Sequence, residues 1–130
     1  MTDGTAGAVL TRWPRRRWLA AFVALPFVSA LLTGAAGVAL DDAGLAWALL
    51  LLAAGTMSAG ILATYVPRPG QRPSLGCSAC AAVSGPTVVG AALALDTYGG
   101  QLSGPLLAVA LTGFGLAQRL RQETGCTTGR

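Results

Sequence analysis

Two long stretches of this chain carry no charged residue, Trp18 to Leu40 and Ala43 to Val66. A helix rises about 1.5 Å per residue, so about 20 apolar residues cross a hydrocarbon layer about 30 Å thick. Each stretch is long enough. Both are dense in Leu, Ala and Val, with Asp41 and Asp42 marking a tight turn between them, and they read as membrane helices over 18–40 and 43–66.

The remainder repeats the pattern in weaker form. Pro67, Pro69 and Pro73, with Arg68, Gly70, Gln71 and Arg72 among them, cannot continue a helix and make a polar connector. A third span is expected over 75–95, less hydrophobic because Ala, Gly, Ser, Cys and Val build it. Asp96 to Gln101 reads as a turn, and Pro105 suits the first turn of a last helix over 103–118. Residues 1–17 form a basic tail and 119–130 a second polar tail.

Composition supports lipid as the surroundings. Of the 130 residues 53% are hydrophobic and 11% charged, against about a quarter charged in ordinary soluble domains. A soluble domain of this size buries only about 70% of its unfolded surface, which leaves too much apolar surface without a polar coat. A secretory signal sequence cleaved near Thr33 to Gly37 fits less well. The first apolar run exceeds a signal core of about 7–15 residues, and another span follows closely.

The net charge of +4 comes from arginine alone, since the chain has neither lysine nor histidine. With the N-terminus inside, all the arginines fall on the cytoplasmic face: Arg12, Arg15, Arg16 and Arg17, then Arg68 and Arg72, then Arg119, Arg121 and Arg130. Asp41, Asp42 and Asp96 take the other face. This asymmetry is the positive-inside pattern, and it favours a membrane over nucleic acid as the partner of the basic groups.

Small residues spaced by four let backbones approach in lipid. Ser29, Thr33 and Gly37 do so on the first helix, Thr56, Gly60 and Thr64 on the second, Cys77, Ala81 and Gly85 on the third, and Gly104, Ala108 and Thr112 on the fourth. Pro26 and Pro86 fall inside spans, where kinks are expected.

No span holds an ionisable carboxylate, lysine, arginine or histidine, so the buried charge that proton-coupled carriers use is missing. What remains for chemistry is Cys77-Ser78-Ala79-Cys80 at the start of the third helix. Two thiols three residues apart lie on neighbouring faces of one turn and can share one soft ion or form a disulfide. A helix N-terminus favours thiolate, the form that binds metal and attacks disulfides. With no histidine and no second such pair, zinc lacks ligands within the chain, whereas mercuric or cuprous ion needs only two thiolates. Cys126 adds a third thiol in the tail, able to accept an ion or resolve a mixed disulfide. The alternative for all three is packing or no role, since cysteine is also a small apolar residue.

The second hairpin, about residues 75–121, carries Leu75-Gly76-Cys77-Ser78-Ala79-Cys80, Gly85-Pro86, Gly90-Ala91-Ala92, Ala110-Leu111-Thr112-Gly113-Phe114 and Arg119-Leu120-Arg121. It resembles the short cysteine-bearing hairpins of Mer-type mercuric-ion uptake proteins. The resemblance implies a small membrane protein that passes mercuric ion between cysteine pairs toward a cytoplasmic reductase, with Cys77 and Cys80 as the ligands. The first two helices carry no cysteine, Ala81 follows Cys80, and Cys126 matches no position of that family.

The expectation is therefore an all-α plasma-membrane protein, a four-helix bundle with both termini cytoplasmic. It is expected to be non-enzymatic and to handle a soft metal ion through Cys77 and Cys80. The bilayer is its expected partner, with a homo-oligomer or larger membrane complex as further possibilities. Two alternatives stay open: a membrane thiol-disulfide redox protein using the same pair, and a structural or accessory subunit of a membrane complex.

Overall fold

The computed structural model describes residues 13–39, 41–67, 69–70 and 79–125, with the backbone alone for 79–83 and 122–125. Four helices account for nearly all of them: α1 Arg15–Ala36, α2 Leu45–Thr64, α3 Ala79–Tyr98 and α4 Ser103–Gly125. No strand occurs among the described residues.

The helix ends differ from the apolar runs for local reasons. Pro14 precedes α1 in extended conformation, and its carbonyl accepts the N–H of Arg17 at 2.9 Å, so the arginine cluster forms the first turn of α1 instead of a tail. At the other end Gly37 takes φ 62°, a left-handed turn that points its N–H back at the Thr33 carbonyl, and α1 stops before reaching Leu40. The end of α3 is set the same way by Gly99, at φ 50°, whose N–H reaches the Leu95 carbonyl at 2.8 Å. Asp96, Thr97 and Tyr98 thereby become the last turn of α3, not a loop. Continuing past 118 to Gly125, α4 takes in Arg119, Leu120, Arg121 and Gln122, all good helix formers. Both α1 and α3 run on through Pro26 and Pro86, which lie on exposed positions.

Two hairpins, α1/α2 and α3/α4, supply the most extensive packing; they join through α2 against α4, more sparsely α1 against α3, and least α2 against α3. Helix direction alternates along the chain, so the first two of these contacts are parallel and the third antiparallel. The core holds Leu32, Trp47, Leu51, Ala54, Leu95 and Ala108.

Close approach depends on small residues at the crossings. A Cβ placed on Gly115 of α4 would collide with the Thr87 hydroxyl of α3 and lie 3.1 Å from its Cβ. One placed on Gly55 of α2 would meet Ser29 Oγ of α1 at 2.9 Å. On α4 the stripe Gly104, Ala108, Thr112 is buried throughout. On α2, by contrast, Thr56 is exposed and the inward stripe is Ala54, Gly55, Ser58 and Ala59; on α1 Gly37 is exposed. Ala81, together with Cys77, gives no test of the third stripe, since Cys77 lies outside the described residues and Ala81 is described by its backbone alone.

Large apolar side chains cover the outside of the bundle as well as filling its core. Leu19, Phe22, Phe27 and Leu31 of α1 point outward, as do Leu45, Leu49 and Leu52 of α2, Val89 and Leu93 of α3, and Leu106, Leu107 and Phe114 of α4. The interior holds Ser58, Ser84, Thr87 and Thr112. These hydroxyls are satisfied within the bundle: Ser58 Oγ donates to the Ala54 carbonyl and Thr112 Oγ1 to the Ala108 carbonyl, both at 2.8 Å, and Thr87 Oγ1 donates to the Ser84 carbonyl at 2.6 Å. Among the described residues α1 and α2 alone are long and apolar enough to cross a membrane by length and composition, with 17% and 39% of their most apolar stretches buried.

Candidate functional site

Charge separates to the two ends of the bundle. Arg15, Arg16 and Arg17 start α1, and Arg119 and Arg121 lie in the last turns of α4, beside the end of α2. The acids whose side chains are described, Asp41, Asp42 and Asp96, all sit at the opposite end, where the end of α1 reaches the end of α3 through Val38 and Gly100.

At the arginine end two guanidinium groups turn inward. Arg17 is 6% exposed and Arg119 7%. Both converge on the C-terminus of α2, where unpaired carbonyls and the helix dipole favour a cation. Arg17 Nε donates to the Val66 carbonyl at 3.2 Å, and its Nη2 reaches the Thr64 carbonyl at 3.4 Å. Arg119 Nε donates to Thr64 Oγ1 at 3.2 Å, and that hydroxyl in turn donates to the Ile61 carbonyl at 2.6 Å. The Arg119 guanidinium also lies 4.6 Å from the centre of the Tyr65 ring, while the Arg17 guanidinium lies 5.9 Å from that of Trp13.

Helix α3 enters the cluster through Ser84, whose Oγ is 3.0 Å from the Tyr65 hydroxyl. Cys80 precedes Ser84 by four residues, one helical turn nearer the start of α3. The arginine end is thus the end at which the Cys80 backbone lies. Cys77 and Cys126 lie outside the described residues, as do Arg12, Arg68, Arg72 and Arg130, and Cys80 is described by its backbone alone. Among the described residues no three His, Cys, Asp or Glu gather as a metal site.

The chain matches no family model, no curated protein and no solved structure.

Its own geometry is therefore what bears on function. Arg17, Thr64, Tyr65, Ser84 and Arg119 form a polar knot that spacing alone does not single out. The available signal was Thr64-Tyr65 closing an apolar run on the side where the arginines collect. Chemically, the knot fixes two positive charges beside the start of α3.

Proposed function

We propose that this chain is an integral protein of the plasma membrane that crosses the bilayer four times, with both termini in the cytoplasm, and that Cys77 and Cys80 carry a soft metal ion, mercuric or cuprous, on its cytoplasmic side. The observation that carries the membrane part is the outward apolar face on every helix, combined with charge confined to the two ends. In water such a surface aggregates. In lipid it is the solvated side, and close packing at small residues such as Gly55 and Gly115 brings the helices together.

The metal part rests on the cysteine spacing and on the company the motif keeps. Two thiolates supply the coordination that a mercuric or cuprous ion needs. The arginine knot lies at the end of the bundle where the Cys80 backbone stands. The ion is cargo here, taken and released at the cytoplasmic mouth of α3.

Each part has its own test. In a C77S/C80S background, a membrane-impermeant thiol reagent applied to intact cells leaves Cys126 unmodified until the cells are opened; ready labelling from outside overturns the orientation. In cells otherwise wild type, replacing both Cys77 and Cys80 by serine abolishes uptake of the soft ion, and unchanged uptake removes the transport reading.

A further inference from the structure

One groove on the bundle surface combines features that a bare lipid-facing wall does not need. It has a volume of about 320 Å³ and lies between the first half of α1, the second half of α2 and α4, walled by Trp13, Trp18, Phe22, Leu25, Gly60 and Leu116. Its body offers no free hydrogen-bonding group. Thr56 is the one hydroxyl there, and its Oγ1 already bonds the Leu52 and Ala53 carbonyls at 2.9 and 2.8 Å. Gly60 keeps the floor low, since a Cβ there would already touch Leu116 Cδ1 at 3.6 Å. Whatever occupies the body of this groove is hydrocarbon. A second helix, about 10–12 Å across with its side chains, is too wide for so small a volume.

The upper end is different. Trp13 is 8% exposed, and its indole Nε1 is enclosed with no hydrogen-bond partner among the described residues. Arg15 and Arg16 follow in the next positions with exposed side chains, and the Arg17 guanidinium stands 5.9 Å from the Trp13 ring. An apolar slot with exposed positive charge beside its upper end matches one molecule in its parts: a hydrocarbon chain below and a negative headgroup above.

We propose that this groove is a binding site for one anionic phospholipid of the cytoplasmic leaflet, its acyl chain between α1, α2 and α4 and its headgroup on Arg15 and Arg16. The inference rests on the four-span reading above. Arginines just cytoplasmic of a span attract anionic lipid by about 1 kcal/mol each, and the groove converts that diffuse attraction into a defined place.

Tryptophan quenching tests it. The full chain is reconstituted in phosphatidylcholine bilayers with increasing fractions of acyl-brominated phosphatidylglycerol or, separately, acyl-brominated phosphatidylcholine. Bromine quenches Trp13 and Trp18 on contact, while Trp47 is buried in the core and supplies a constant background. Half-maximal quenching is expected at a mole fraction about thirtyfold lower for the glycerol lipid, the ratio that about 2 kcal/mol from two arginines gives. R15Q/R16Q brings the two curves together, and A21F, which fills the groove, lowers the maximal quenching by both lipids. Equal curves for the unaltered chain make the groove ordinary boundary surface, which overturns the site and leaves the four-span reading standing. Preference that persists undiminished in A21F overturns the groove as its seat. Failure of either lipid to quench, with release of the chain from membranes by alkaline wash, sinks the four-span reading itself.

Discussion

Arg119 of α4 holds its guanidinium 4.6 Å from the centre of the Tyr65 ring, at the end of α2, while its Nε donates to the neighbouring Thr64 hydroxyl at 3.2 Å. One side chain from the second hairpin thus caps a helix of the first. The contact couples the hairpins through charge, an aromatic face and a hydrogen bond together.

Removing that side chain has a definite cost. Arg119→Ala loses a charge-assisted hydrogen bond and a buried cation-π contact, together about 2–4 kcal/mol. Arg119→Lys keeps the charge but not the planar fork, and recovers only part of it. Equilibrium unfolding of the purified protein in mixed micelles reads both values.

The α3/α4 crossing predicts a non-additive pair. Gly115→Ala drives a methyl group into Thr87 and destabilises the protein by about 1–3 kcal/mol. Thr87→Ala removes the hydroxyl that a methyl there would strike, although its Cβ still stands at 3.1 Å. The double variant is therefore more stable than the sum of the single changes predicts, by about 1 kcal/mol in the same unfolding measurement.

At the α1/α2 crossing the sign of the first change reverses. Ser29 Oγ is buried with no hydrogen-bond partner among the described residues, so Ser29→Ala is expected to stabilise by about 1 kcal/mol. Gly55→Ala in the native background is destabilising, because its methyl group meets that hydroxyl. In the Ser29→Ala background it is tolerated, and thermal midpoints of the four proteins check the pattern.

For the cysteine pair the expectation is stoichiometric. Purified protein in reductant-free buffer binds one mercuric ion per chain, and either Cys77→Ser or Cys80→Ser alone abolishes retention against a competing small thiol. Two-coordinate binding requires both sulfurs. Retention by each single variant would show that the pair does not act together. A reversible disulfide without metal retention would instead favour the redox reading.

The helices were legible because each local signal agreed. Uncharged runs gave their number, and Pro67 to Pro73 gave the main break between α2 and α3. Which way each helix faces was less so. A helix as evenly apolar as α2 has no richer side to read, so its inward stripe settles on Gly55 and Ser58 while Thr56 turns out. The end of α1 at Gly37 depended on one left-handed residue inside a run of similar small ones. For the arginine knot the obstacle was phase. Arg15, Arg16 and Arg17 are identical in sequence, and only the rotation of α1 decides that Arg17 alone of the three is buried.

The polar ties between the hairpins have a mechanical consequence. Among the described residues, the bonds from Thr64 and Tyr65 to Arg119 and Ser84 all gather at the arginine end, whereas Leu32, Trp47, Leu95 and Ala108 pack the two hairpins together in the half nearer the aspartates. The halves are therefore gripped by two different forces, directional bonds at one end and close apolar contact toward the other.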